Sequence, residues 1–406
     1  MQKKSVFIIG GGVVGLSIGC EIQRISGFKV FIIEKNSRIK ADNQSSRNSG
    51  VIHAGIYYPK SKCPIKAGLC VEGNPLLYEF CVNHNVPHKN TGKLVVATSH
   101  MEIEYLEETY RIAEENGVPG MSWVEGQDIG SHEPNVKGVK ALLVPTSGIV
   151  DAMALVSRLH AVFKSLGGEI IIGAELVSVS ANGSIFSLDL DFGKNKEAVE
   201  ADYVINAAGL YSDEVARMID PESPYEVEGV RGEAAKFYAD NRPGLLMSGM
   251  NVYPAPYGYC NTTGEKAEVS LVEFHRLLSE GKITKTVGVH LTPAFDYIAG
   301  EVTIGKTITI GPAKTVGRGK DDYGSGLRPV SDYLKAVKRF FPDLTEADIE
   351  LHQAGIMAVP KNHSDYIIKQ DRNHGRFINL IGIDSPGLTS CLALGRYVKA
   401  MLMDSL

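Results

Sequence analysis

Gly10-x-Gly12-x-x-Gly15 follows a short apolar run, Val6-Phe7-Ile8-Ile9, and opens a stretch to Ser26 in which small and apolar residues recur at helical spacing. In that context the first glycine permits a tight turn and Gly12 lets the backbone approach a pyrophosphate. Gly15 lets the helix pack on a sheet, and the helix N-terminus offers N–H donors and a positive dipole to the anion. Glu34 closes a second apolar run, Val30-Phe31-Ile32-Ile33, 19 positions beyond Gly15, where a carboxylate can accept hydrogen bonds from a ribose diol. Strand, glycine turn, helix and acid together specify a dinucleotide site. They do not choose between nicotinamide and flavin.

The segment Ser45-Ser46-Arg47-Asn48-Ser49-Gly50-Val51-Ile52-His53-Ala54-Gly55 is rich in small hydrogen-bonding residues and ends in a histidine between glycines. A second histidine stands in Gly288-Val289-His290-Leu291-Thr292-Pro293. Oxidising a C–H beside a hydroxyl needs a base for the O–H proton while hydride leaves for a flavin, and a neutral imidazole suits that task near pH 7. A lone histidine is more often a hydrogen-bonded structural residue. Ser385-Pro386-Gly387-Leu388-Thr389 opens the last helical stretch, and its N–H groups suit a developing negative charge on a flavin ring.

At these residues the sequence resembles the D-amino-acid-oxidase-like superfamily of FAD enzymes, and within it the L-2-hydroxyglutarate oxidase/dehydrogenase branch. The resemblance runs over most of the chain and includes Gly92-Lys93-Leu94, Gly148-Ile149-Val150-Asp151 and Ala207-Ala208-Gly209-Leu210-Tyr211-Ser212-Asp213 as well as both histidine motifs. It implies FAD as cofactor, with Glu34 and Lys35 at the adenosine ribose. Ser46, Arg47, Asn48 and Ser49 would lie along the pyrophosphate and flavin, with Ala208 and Gly209 beside the cofactor. The strand around Val177 would border the adenine, and Gly387, Leu388 and Thr389 would meet the pyrimidine edge. It implies His53 and His290 as catalytic candidates, His53 alternatively as a flavin contact or attachment point, and Tyr257 as a residue of the substrate pocket or its packing.

One position departs from that pattern. Where relatives carry Ala-Gly-Ile/Val-Arg, with the arginine holding a substrate carboxylate, this chain reads Ala354-Gly355-Ile356-Met357. A thioether cannot reproduce the bidentate guanidinium–carboxylate contact. Arg231, Lys361 and Arg328 are candidate replacements, and 2-hydroxyglutarate itself is expected to be a poor substrate. An insertion between Pro256 and Gly288 is expected to shape the pocket.

The elements that must hold these residues read as an α/β protein. The first βαβ unit is followed by helices over Asn74–His84 and Met101–Gly117 flanking a strand at Leu94–Ala97. Asp151 caps a helix to Leu166, and strands follow at Glu169–Ile172, Glu175–Val179 and Tyr203–Asn206. Residues 228–310 alternate strand-like segments with prolines and glycines, as an antiparallel sheet would. A helix is expected at Glu268–Gly281 and another at Ser331–Phe341, before the closing strand Phe377–Ile381 and helix Thr389–Met403. The expected organisation is a Rossmann-type FAD-binding domain made of residues 1–82, 146–226 and 350–406, with an inserted mixed or antiparallel-sheet substrate domain of residues 83–145 and 227–349.

The remaining composition narrows function. A net charge of −5 without a block of basic residues argues against nucleic acid. The six cysteines form neither CxxC nor a metal-ligand cluster with histidine, so no metal site is expected and the thiols read as reduced in a cytoplasmic protein. The first apolar run is broken by three glycines, unlike a signal peptide, and no segment reaches the ~18 apolar residues of a membrane span. Peripheral membrane contact stays open. The expected partners are a small-molecule substrate and an electron acceptor, whether oxygen, a quinone or a redox protein. Rival readings are an amine or amino-acid oxidase of the glycine-oxidase type, a glycerol-3-phosphate dehydrogenase, and a non-catalytic protein that keeps the fold without the cofactor.

Overall fold

Alternate residues of β1 (Lys4–Ile9) serve two different cores. Val6 and Ile8 pack with Leu16, Leu159, Phe163 and Leu394, whereas Phe7 and Ile9 pack with Leu188, Val204 and Phe377. A strand covered on both faces must be apolar throughout, which is why this run reads as continuous rather than alternating. β1 pairs in parallel with β2 (Phe28–Glu34) on one side and with Tyr203–Asn206 on the other, and α1 (Val13–Gln23) makes the crossover between β1 and β2. The whole sheet runs Ile367–Gln370, Phe377–Ile381, Tyr203–Asn206, β1, β2, Glu169–Ile172, and its one antiparallel pairing is at the Ile367–Gln370 edge. Helices α1, Ala152–Ser165 and Gly387–Asp404 share the core on one face, and a three-stranded antiparallel sheet from Glu175 to Ala201 covers the other.

This computed structural model describes residues 3–40, 43–262 and 265–404. Its second large sheet has eight strands in the order Glu350–Pro360, Val227–Tyr238, Glu301–Thr315, His290–Ile298, Asn251–Pro254, Lys93–Ala97, Lys140–Val144, Ser122–Glu125. The pairing of Asn251–Pro254 with Lys93–Ala97 is parallel and the rest is antiparallel, so the sheet is mixed. The architecture is therefore α/β, a Rossmann-type sheet beside a mixed sheet. Residues 350–360, assigned from sequence to the first unit, instead pair with Val227–Tyr238 through Val227↔Pro360 to Lys236↔Glu350. The sequence gives little sign of this, because strand pairing partners are non-local.

The elements read from sequence are present, with two differences, the first of which positions the site. The helix expected from Asn74 begins at Pro64 and runs to His84 with Pro75 inside it. Gly73 brings that helix against the last one, since a Cβ there would stand 2.4 Å from the Thr389 carbonyl oxygen. The insertion forms the helix Leu271–Ser279 and a three-stranded sheet, and buries Phe274 edge-on against Tyr105 at 5.2 Å. It thus packs on the helix Met101–Asn116, and among its described residues from 258 to 287 only Val287 lines the cavity described below. No helix among the described residues is long and apolar enough to cross a membrane.

Candidate active site

A cavity of about 600 Å³ runs between the two sheets, from Glu34 and the glycine turn at one end to His53, His290 and Met357 at the other. At the first end, Gly10 adopts φ +109°, and a Cβ there would lie 2.4 Å from the Ala207 carbonyl oxygen. Gly15 sits behind it, where a Cβ would meet the Gly10 oxygen at 2.0 Å, so its work is packing rather than lining. Gly12 is the N-cap of α1; Val13 N donates to Ser45 Oγ at 3.0 Å, and Gly12, Val13 and Val14 all line the cavity, so the first turn of the helix faces it. Glu34 is buried; its Oε2 accepts from Gly11 N at 2.9 Å and its Oε1 from Asn36 N at 2.9 Å. Each carboxylate oxygen accepts about two bonds, so Oε2 retains acceptor capacity toward the cavity.

At the other end the two histidines meet. The backbone N–H of His53 donates to Thr389 Oγ1 at 3.0 Å, its carbonyl accepts from Asn74 Nδ2 at 2.8 Å, and its Nε2 lies 3.4 Å from Ser385 Oγ. His290 Nδ1 lies 2.9 Å from Thr292 Oγ1, and its ring stacks on Tyr253. Lys93, fully buried on the neighbouring strand, places its ammonium 3.9 Å from the Tyr253 ring centroid and 5.4 Å from that of Tyr57. Burial drives the Lys93 pKa down to about 7. Burial first, and then the Lys93 charge, holds both imidazoles well below 6.5. Both histidines are thus neutral, the form in which an imidazole can accept a proton.

Most of the residues expected from sequence line this cavity: Gly10, Gly12, Glu34, Lys35, Arg47, Asn48, Ser49, Ala208, Gly209, Gly387, Leu388, His53, His290 and Met357. Others do not. Ser45, not Ser46, lines the cavity: in the short 3-10 turn Gln44–Ser46 successive side chains are rotated by about 120°, which brings Gln44 and Arg47 to one side and carries Ser46 away. Val177 is 38% exposed, and Ala174, Glu175 and Leu176 form that wall instead. Thr389 does not line the cavity but positions His53 through the hydrogen bond above. Tyr257 takes the packing role of its two expected ones, beneath Gly288 with its hydroxyl 2.7 Å from Tyr259 Oη, while Tyr253 lines the cavity.

None of the three expected replacements for the missing arginine reaches the cavity. Arg231 is fully buried against Glu233 at 2.8 Å and Asp322 at 3.3 Å, Arg328 pairs with Asp332, and Lys361 pairs with Glu226. The ionisable groups that do line this end include Lys314 and Asp384, neither of which stood out in the sequence. Burial raises the Asp384 carboxyl, while Lys66 at 2.6 Å and, less directly, Lys314 draw it back down. Lys314 is an exposed side chain that lines the cavity, and the protein packed around it lowers its ammonium pKa, with Asp384 opposing and Lys66 adding to that shift. A lysine two residues after Gly311-Pro312 in an apolar strand was the available signal.

An elongated cavity with an open helix N-terminus over Gly12 and a buried carboxylate at Glu34 suits a diphosphate-linked nucleotide, and the glycine turn leaves room for its backbone approach. The chain is 30% identical to the L-2-hydroxyglutarate dehydrogenase of Indibacter alkaliphilus over 96% of this chain and 96% of that protein. Its fold matches L-alpha-glycerophosphate oxidase from Mycoplasma pneumoniae, solved with FAD bound, with a TM-score of 0.80 at 22% identity over 99% of this chain and 95% of that one. Glycine oxidase from Geobacillus kaustophilus matches with a TM-score of 0.75 at 20% identity, over 100% and 95% of the two chains. The FAD dependent oxidoreductase family, DAO, matches residues 5–401. With nearly its whole length matched and a cavity that suits the cofactor, the chain belongs to that family of FAD-dependent oxidoreductases.

Proposed function

We propose that this enzyme oxidises the CH–OH group of a small 2-hydroxy acid of the L-2-hydroxyglutarate type. The carrying observation is that two neutral histidines, His53 and His290, face one cavity whose other end is the dinucleotide cradle. FAD, when bound, supplies the acceptor for the hydrogen and electrons leaving the carbinol carbon. Gly10, Gly12 and Glu34 would hold the cofactor's nucleotide half, and Gly387 and Leu388 would face its other end. One imidazole takes the hydroxyl proton while Tyr253 fixes the His290 ring plane and Ser385 stands at His53 Nε2. The relative named as an L-2-hydroxyglutarate dehydrogenase supports CH–OH over CH–NH chemistry.

The division of labour follows the sheets, with residues 1–82, 146–226 and 361–406 as the cofactor unit and 83–145 and 227–360 as the substrate unit. The cysteines, five of the six buried, support a reducing compartment such as the cytoplasm. Reoxidation by oxygen, a quinone or a redox protein completes the cycle.

The test is anaerobic mixing of the yellow holoenzyme with L- and D-2-hydroxy acids, amino acids and glycerol 3-phosphate, following flavin bleaching. Bleaching by a 2-hydroxy acid with release of the 2-oxo acid is expected. Bleaching only by amino acids, with ammonia released, would replace this reading with an amine oxidase.

A further inference from the structure

Met357 and Lys314 lie on neighbouring rows of one sheet face. Gly232 is in register with both Gly355 and Lys314, and Met357 follows Gly355 by two, so its side chain emerges on the same face. The methyl of Met357 reaches 3.8 Å from where a Gly232 Cβ would be. The side chain that replaces the arginine therefore lies over Gly232, across which stands Lys314. Ala313 turns into the core beneath the sheet, which sends Lys314 to the cavity face.

Of the cations that line the cavity, Lys35 and Arg47 lie over the Tyr211 and Tyr323 rings, Lys320 pairs with Asp213 and Glu214, and Lys314 stands across Gly232 from Met357. Asp384 is engaged by Lys66 at 2.6 Å, and among the described residues no ion pair within 4 Å reaches the Lys314 ammonium. His53 and His290 contribute no charge. We infer that Lys314 holds the carboxylate of the substrate in the role an arginine at position 357 would have filled, and so sets the specificity of the site. This rests on the 2-hydroxy-acid reading above. One ammonium supplies three donors for two carboxylate oxygens, whereas a phosphate beside the Met357 methyl and Pro312 would leave oxygens desolvated and unbonded.

The experiment compares wild-type holoenzyme with Lys314→Met and Lys314→Arg. Flavin reduction is followed with L-lactate, L-2-hydroxybutyrate, L-2-hydroxyglutarate, glycerol 3-phosphate and the uncharged (S)-1,2-propanediol, and pyruvate binding is followed by calorimetry. Flavin content and Tm report folding. For the best hydroxy acid Lys314→Met should lose about 30- to 1000-fold in kcat/KM, mostly through KM, and weaken pyruvate binding in parallel. The diol should change by less than about threefold, and Lys314→Arg should restore most of the loss. Unchanged hydroxy-acid kinetics and pyruvate binding in Lys314→Met overturn the inference while leaving the proposed function intact. An equal loss on the diol overturns it as well, and a loss confined to glycerol 3-phosphate makes the anion a phosphate. If no hydroxy acid bleaches the wild-type flavin, the proposed function fails, and pyruvate binding unaffected by the substitution separately dismisses Lys314.

Discussion

His290 and Tyr253 stack with ring centroids 3.8 Å apart and planes 10° from parallel. The stack fixes the imidazole plane without using either ring nitrogen, and Thr292 engages only Nδ1, so Nε2 is left for a proton. Replacing the catalytic base, His290 or His53, by Asn should slow flavin reduction by ~10²–10⁴-fold with FAD retained. Tyr253→Leu should lower the rate by only about 2–10-fold, the worth of an aromatic pair. Rapid-mixing traces decide it; wild-type rates in both histidine variants would remove both from consideration.

The pH profile should reflect the depressed imidazoles. Protonation of the base abolishes activity, and burial plus Lys93 lower both histidines below 6.5. The acid limb of kcat/KM should therefore lie below pH 6.5 in the wild type and move upward in Lys93→Met. A limb at or above 6.5 in the wild type would contradict the neutral-histidine site.

Lys93 also makes stability depend on pH. Its pKa falls from 10.5 to about 7 on folding. Below about pH 7 the ammonium is charged in both states and the full penalty applies, about 5 kcal/mol for a shift of that size. Between about 7 and 10.5 the unfolded chain binds the proton that the folded chain releases, so this group's destabilising effect shrinks as pH rises. Lys93→Met should consequently be more stable than wild type by urea unfolding at pH 6.5, with the gap narrowing toward pH 9.5. A gap independent of pH would show that Lys93 does not titrate in this range.

Gly12→Val should yield apoprotein. Even a Cβ at this position comes within 2.9 Å of Ser45 Oγ, and the two γ-methyls add bulk at the open end of α1. The ratio of flavin to protein absorbance measures it; undiminished flavin would displace the cofactor from this turn.

Met357→Arg should gain activity toward dicarboxylates, because a guanidinium at a cavity-lining position adds a bidentate carboxylate partner. Wild type should turn over L-2-hydroxyglutarate poorly beside a monocarboxylate, and the variant should narrow that difference by about tenfold or more. Ratios of kcat/KM for the two substrates give the answer.

Local patterns carried most of this in advance. The strand, glycine turn and helix around Gly10 are written in contiguous residues, and so is the cap that Asp151 provides to the helix Ala152–Ser165, its Oδ1 accepting Ala154 N at 2.9 Å. What the sequence could not carry was which side chains turn inward from distant strands. Arg231 and Lys314 sit on adjacent paired strands, yet one is sealed against Glu233 and the other faces the cavity, a distinction decided by register and pleat. Lys93 likewise looks like an ordinary strand residue until Tyr253 and Tyr57, far along the chain in one case, close over it.

The cavity wall joins residues 9–14 to residues 380–388, and the parallel sheet beneath it sets β1 beside Tyr203–Asn206, which in turn pairs with Phe377–Ile381. On the ribosome the glycine turn emerges first, but its neighbours arrive only as synthesis nears residue 388. A nascent chain thus carries an unfinished nucleotide cradle with the exposed apolar strand Val6–Ile9. Flavin loading therefore waits for residues 380–388, and in a cell short of flavin the same chain would stand longer as a protease substrate, because a ligand that binds only the completed fold withdraws it from the unfolded pool.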